Sequence, residues 1–139
     1  MPAGDSPPPF AIRFASRKPG EVRGTVEPAE QLYHRALELT ALVAQLAENL
    51  EVARFHVRDR LDRDATQLAL LCRRAASERA PTERRRAYRE ARPYAQECAA
   101  LLDIIGLRQH RSGRDPRLVD EARALVGEVL AALGPLAAR

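Results

Sequence analysis

Apolar residues recur at steps of three and four after residue 27, which is the period of an α-helix with one buried face. Four separate runs carry this pattern. They comprise Leu32, Ala36, Leu39, Val43, Leu46 and Leu50; Leu61, Ala65, Leu68, Cys72 and Ala75; Ala87, Ala91, Tyr94, Cys98, Leu101 and Ile105; and Leu118, Ala122, Leu125, Val129, Leu133 and Leu136. Each helix alone would be marginal in water. The pattern therefore predicts an all-α chain, an antiparallel up-down-up-down four-helix bundle.

Prolines mark the predicted helix starts. Pro28 is expected in the first turn of the first helix. A backbone N–H at that position has no acceptor within the helix, so the N–H that proline lacks costs no hydrogen bond. The second helix is predicted from about residue 58 to residue 77, and Pro81 ends it or begins the third. Pro93 lies inside the third run and is expected to kink that helix or remove one hydrogen bond.

The third and fourth helices are predicted to be joined by a polar loop over residues 106–115. Asp115 is expected as the N-cap of the fourth helix, with Pro116 at its first position. The first 27 residues hold five prolines and three glycines and show no sustained period. They predict a flexible or disordered tail, with one bundle domain over 28–139.

Positive charge is concentrated in the middle of the chain. Residues 54–117 carry sixteen basic and nine acidic side chains, and Lys18 is the one lysine among the 23 basic residues of the sequence. Arginine is the residue that binds phosphate and carboxylate groups through two parallel hydrogen bonds. This distribution points to a polyanionic or acidic partner.

Helical spacing places several of these arginines away from the core. Arg85, Arg89 and Arg92 lie on the outer side of the third helix, and Arg63 and Arg74, with Arg73 beside them, on that of the second. The full predicted phosphate-binding set is Arg63, Arg73, Arg74, Arg85, Arg86, Arg89 and Arg92. One basic surface on the side of the second and third helices is expected. The alternative is a solvated face on which glutamates at 78, 83 and 90 pair with the arginines.

Some apolar residues lie off the four stripes. Leu70 falls about 180° from the core face of the second helix, at about 100° per residue. Val119, Val126 and Leu130 widen the apolar face of the fourth. Together they predict a homo-oligomer, with these four residues at its interface.

No catalytic or metal-binding arrangement is found in the sequence. Glu30, His34 and Glu38 form one row that is expected to face solvent, without the inward Glu-x-x-His motifs of a di-iron bundle. Cys72 and Cys98 lie on core stripes and are expected as buried apolar thiols. No cofactor is predicted. No signal or membrane-spanning stretch is recognised either, so the chain is interpreted as cytoplasmic.

Two runs resemble a known family. Ala91–Glu97 matches the family's Ala-Arg-Gly-Ser-x-x-Glu run at Ala, Arg and Glu, and Arg60–Ala65 falls on its Gln-Leu-Arg-Arg-Ala-Ala run without a gap. From about residue 30 onward the chain resembles the four-helix-bundle proteins encoded in ribosomal RNA intervening sequences. It also resembles their relatives, the accessory variability determinants (Avd) of diversity-generating retroelements. Leu71–Ala75 replaces the family's Asn-Ile-Ala-Glu-Gly segment, which favours the retroelement type.

The resemblance implies a specific role. Avd proteins form homopentamers with a basic surface, bind nucleic acid and partner a reverse transcriptase. The chain is therefore expected to be a nonenzymatic accessory protein that binds RNA or DNA largely independently of sequence. Two alternatives stay open: an adaptor that binds only protein, with its arginines on an acidic partner, and an enzyme with a site between helices.

Overall fold

The computed structural model describes residues 27–48 and 55–138. This part of the chain forms α1 (Pro28–Ala47), α2 (Phe55–Ser77), α3 (Pro81–Arg111) and α4 (Arg117–Ala137). Each helix packs on the next, and α1 also packs on α4, so the four close into an antiparallel up-down-up-down bundle. The predicted fold is confirmed. Residues 1–26 lie outside the described residues, so the prediction of a flexible tail there stays a prediction.

The core is one cluster to which all four helices contribute. Its large buried side chains include Leu39 of α1, Leu68 of α2, Tyr88 and Leu102 of α3, and Leu133 of α4. Many other fully buried positions are alanine: Ala36, Ala65, Ala75, Ala87, Ala91, Ala95 and Ala122. Because the distance between helix axes depends on the side chains at the contact, these alanines let α3 lie close to its neighbours.

The third helix extends six residues further than predicted, so the expected loop over 106–115 is wrong for residues 106–111. Helix α3 continues because this segment packs on α4. Asp103 Oδ1 lies 2.9 Å from Arg123 Nη2, and Gln109 is buried. Packing thus outweighs the poor helix propensity of Gly106.

The end of α3 is a Schellman motif. Gly113 has a positive φ of 73°. Its N–H bonds the carbonyl of His110, and the N–H of Arg114 bonds the carbonyl of Gln109. These two bonds satisfy carbonyls that the helix end leaves without partners. The connection to α4 is therefore short.

The start of α4 agrees with prediction to within one residue. The helix begins at Arg117, and Pro116 rather than Asp115 occupies the N-cap position. Asp115 still caps the helix, because its Oδ1 accepts the backbone N–H of Arg117 at 3.0 Å. At the other end of the chain, α1 begins at Pro28 as predicted.

Pro93 lies within α3, and the helix continues on both sides of it. A proline there leaves the carbonyl of Arg89 without its usual i+4 donor. The side chain of Pro93 is exposed, so water has access to that side of the helix. None of the described helices is both long and apolar enough to span a bilayer.

Two of the four predicted oligomer contacts are wrong. Val119 and Val126 are 1% and 2% exposed, because both side chains pack into the core of their own chain. Leu130 is half-buried against that core. Leu70 does point outward, with 57% of its surface exposed. Any contact between copies through Leu70 or Leu130 stays a prediction.

Replacing Ala91 with leucine should destabilise the bundle by about 1–3 kcal/mol, because the added atoms have no room in a filled core. Ala91 is fully buried, whereas Ala100 on the same helix is exposed. Ala100→Leu is therefore the matched control and should change stability by less than about 0.5 kcal/mol. Urea denaturation measures both. Equal midpoints for the two variants would contradict the close packing of α3.

Two glycine substitutions should have opposite effects. A Cβ at Gly106 would lie 3.7 Å from Arg123 and 3.8 Å from Val119, which are ordinary contacts. Gly106→Ala should therefore stabilise α3 by about 0.5–1 kcal/mol. Gly113→Ala should destabilise the chain by about 1–2 kcal/mol, because its φ is positive. Thermal unfolding measures the pair, and effects of the same sign would rule out this helix end.

Candidate nucleic-acid interface

The predicted arginines do not share one face. Their contacts divide them among the α1–α2, α2–α3 and α3–α4 seams of the bundle. The expectation of a single basic surface on the α2–α3 side is therefore wrong. The reason is helix rotation: periodicity shows which residues point away from the core, but not toward which neighbouring helix they lean.

The α2–α3 seam is lined by charges of both signs. Arg74 Nη1 lies 3.3 Å from Glu90 Oε1 across the seam. Arg86 Nη1 lies 3.8 Å from Glu83 Oε1, one turn earlier on α3. Exposed pairs of this kind contribute little stability, but they neutralise the local charge. The arginines at this seam therefore fit the alternative of a solvated face with arginine–glutamate pairs better than that of a phosphate-binding surface.

Arg73 leans toward α1 instead. Its guanidinium carbon lies 5.6 Å from the centroid of the Tyr33 ring. This is a cation–π contact between α1 and α2, in which the charge faces the negative surface of the ring. Arg73 therefore has a structural partner on the side of the bundle away from α3.

Arg85, Arg89 and Arg92 form a separate group, here called the arginine row. They occupy positions i, i+4 and i+7 of α3, which is one stripe of the helix. Arg89 and Arg92 of this stripe lie against the end of α4. Arg89 Nε donates a hydrogen bond of 2.9 Å to the backbone carbonyl of Ala137, near the end of α4. Arg89 and Arg92 line a shallow groove of about 390 Å³, whose other walls are Pro93, Gln96, Gly134, Ala137 and Ala138.

The arginine row has no acidic partner in the described part of the chain. Within residues 27–48 and 55–138, no acidic side chain forms an ion pair with any of its three members. The cause lies in the sequence of α4, which has no charged residue from 129 to 138. The last acid of α4, Glu128, pairs with Arg35 of α1. Among the described residues, positive charge therefore accumulates at this groove without a compensating acid.

Two carboxyl groups, one buried and one partly exposed, meet at the α2–α3 seam. Asp64 is 5% exposed and hydrogen-bonds Glu97, which also forms an ion pair with Arg60. Burial, and then the bond and charge of Glu97, raise the pKa of Asp64 to about 6, although Arg60 and Arg63 oppose the shift. The bond from Asp64, followed by Arg60, lowers the pKa of Glu97. Below a pH of about 6, protonated Asp64 therefore donates to ionised Glu97.

Sequence reasoning missed this pair, yet a signal was present. Asp64 lies three residues after Leu61 and four before Leu68, which places it on the core stripe of α2. A charged residue at such a position needs a partner, because burying an unpaired charge is costly. That partner, Glu97, comes from a different helix and was not indicated by spacing along α2.

The two cysteines are core residues, as predicted. Cys72 and Cys98 have no exposed surface, and burial raises the pKa of each thiol to about 12. Neither is a thiolate at neutral pH, which a nucleophile or metal ligand requires. Among the described residues, no group of three or more His, Cys, Asp or Glu is arranged to hold a metal ion.

The expected solvent-facing row on α1 is wrong at one position. His34 is 8% exposed rather than open to solvent. Its Nε2 lies 3.8 Å from Glu30 Oε1, and its ring lies 5.9 Å from that of Tyr33. Glu30, His34 and Glu38 therefore do not form one solvated row.

The chain matches no protein-family model, no curated protein and no solved structure. What is established is a four-helix all-α bundle. Its relationship to a family, and any function taken from that family, are matters of proposal.

Asp64→Asn should make stability less dependent on pH. The folded state raises the pKa of Asp64 from 3.8 to about 6, so protonated Asp64 stabilises the fold at low pH. That contribution is lost as pH rises from about 4 past 6. The variant should match the wild type near pH 4 and be more stable at pH 8, by about 1–3 kcal/mol.

Denaturant midpoints across pH 4–8 measure this difference. The matched control is Asp62→Asn, an exposed position of the same helix. A stability difference between Asp64→Asn and the wild type that is the same at pH 4 and pH 8 would show that the carboxyl pair does not share a proton.

Proposed function

We propose that this chain is a nonenzymatic, Avd-like accessory protein that binds the phosphate backbone of nucleic acid on the arginine row. The proposal rests on one observation above all: Arg85, Arg89 and Arg92 lie together on one rigid helix, and no described carboxylate pairs with them. The arginines at the α2–α3 seam, by contrast, already have acidic neighbours. The row is thus a more suitable phosphate site than the α2–α3 seam.

The chemistry of this site suits phosphate rather than bases. Guanidinium groups bind phosphate oxygens in pairs, and the release of counterions from the nucleic acid favours association. Base recognition in single strands requires exposed aromatic rings. Of the three tyrosines, Tyr88 is buried and Tyr33 and Tyr94 are half-buried against the core. Binding is therefore proposed to be largely independent of sequence.

The protein partners follow from the resemblance. We propose a reverse transcriptase as the partner and a homo-oligomer, a pentamer as in the Avd family, as the assembly. Two residues of the predicted interface remain candidates for this contact: Leu70, which is exposed, and Leu130, which is half-buried. Neither lies in the arginine row, so self-association and nucleic-acid binding use different surfaces.

Replacing Arg85, Arg89 and Arg92 together with glutamine should weaken binding of an RNA hairpin or a DNA duplex at least tenfold. The slope of log affinity against log salt should fall by about 1 for each arginine removed. Fluorescence anisotropy at several salt concentrations measures both quantities. Circular dichroism checks that the variant is folded, because Arg89 also bonds the end of α4.

The matched control removes the same charge from the other end of α3. It replaces Arg108, Arg111 and Arg114 with glutamine and should retain most of the affinity. Equal losses in the two triple variants would mean that net charge, not the row, governs binding. A folded wild type that binds neither probe at low salt would reject the nucleic-acid function in favour of the protein-only adaptor.

A further inference from the structure

The C-terminal half of α3 carries a second apolar surface, on the far side of the helix from the core residue Leu102. Leu107 is 62% exposed and Ile104 is 42% exposed, and both are among the largest exposed apolar side chains of the described chain. Ala100, one turn before Ile104, is exposed as well. We call Ala100, Ile104 and Leu107 the apolar patch. Its spacing of four and three residues forms one continuous stripe.

The charges beside the patch are positive. Arg108 and Arg111 follow Ile104 and Leu107 by four residues each, so they lie on the next turn of the same side. Neither forms an ion pair with a carboxylate of residues 27–48 or 55–138. The nearby acid, Asp103, is held by Arg123 of α4. A partner that covers the patch therefore meets apolar surface bordered by uncompensated arginine.

This charge pattern disfavours one way of covering the patch with a second copy of the chain. Pairing two patches side by side in parallel around a two-fold axis would bring Arg108 and Arg111 of both copies together. Like charges brought together across an interface cost several kcal/mol. A complementary occupant must carry acid where these surfaces carry arginine.

We propose that the apolar patch binds an acidic amphipathic helix of another protein. Such a helix presents leucine-like side chains at i, i+3 or i+4 and i+7, which is the spacing of the patch, with Asp or Glu beside them. Ile104 and Leu107 fill the apolar contact, and Arg108 and Arg111 pair with the flanking acids. The patch is about 20 Å along α3 from the arginine row, at 1.5 Å per residue. The two surfaces are therefore separate, and this proposal does not depend on nucleic-acid binding.

The test uses a synthetic 18-residue peptide with leucines at heptad spacing and flanking glutamates, labelled for fluorescence anisotropy. A scrambled peptide of the same composition keeps the charge but loses the apolar face. The full chain should bind the amphipathic peptide, with the scrambled one at least tenfold weaker. Leu107→Glu and Ile104→Glu should each weaken binding at least tenfold.

Ala131→Glu is the matched control, because it adds the same charge at an exposed apolar residue of α4 that belongs to none of the proposed surfaces, and it should bind as the wild type does. Arg108→Gln/Arg111→Gln should weaken binding and reduce its dependence on salt. Leu107→Glu should leave the affinity for RNA and DNA unchanged. If the proposed peptide binding fails, that result can therefore be distinguished from a failure of nucleic-acid binding on the arginine row.

Several results would overturn the proposal. One is equal binding of the ordered and scrambled peptides, which would show charge attraction alone. Another is full peptide binding by Leu107→Glu. A third is sedimentation showing a wild-type oligomer that Leu107→Glu dissociates, which would make a second copy the occupant. Flotation of the wild type, but not of Leu107→Glu, with anionic vesicles would make a lipid surface the occupant.

Discussion

The structure depends on the joint burial of four apolar stripes, none of which has an adequate partner within its own helix. A helix of this length gains little from its backbone hydrogen bonds alone, so each stripe is stable only while the other three cover it. The core in turn relies on alanine. Ala87, Ala91 and Ala95 occupy successive turns of α3, and all three are buried in the same core as larger side chains such as Leu39 and Leu133. The packing of the four helices in this core fixes the positions of the side chains on the surface of the bundle.

The sequence predicted what depends on local spacing. Four helices, the start at Pro28, the buried thiols of Cys72 and Cys98 and the outward direction of Leu70 all follow from periodicity and capping. What it did not predict depends on contacts between helices. Gly106 continues a helix because α4 covers it, and Val126 is buried because the apolar face of α4 is wide enough to meet two neighbours. The spacing of residues along one helix does not show which other helix packs against each of its sides.

The candidate site shows the same division. That Arg85, Arg89 and Arg92 share one side of α3 was visible from their spacing. That Arg74 meets Glu90, while the arginine row meets an uncharged stretch of α4, was not. This difference decides which arginines can bind an external anion and which already pair with an acid of the same chain. Excess positive charge in a sequence is therefore less informative than its position relative to the acids of the adjacent helix.

The seams of the bundle also differ from one another, and this has a consequence for topology. Arg35 and Glu128 join α1 to α4, Arg73 and Tyr33 join α2 to α1, and Asp103 and Arg123 join α3 to α4. Four amphipathic helices can close clockwise or anticlockwise around the same core. In the mirror arrangement each helix would turn the opposite flank to each neighbour, so these pairs would not meet. These contacts at the rim are thus specific to the observed handedness of the bundle, although each contributes little to its stability.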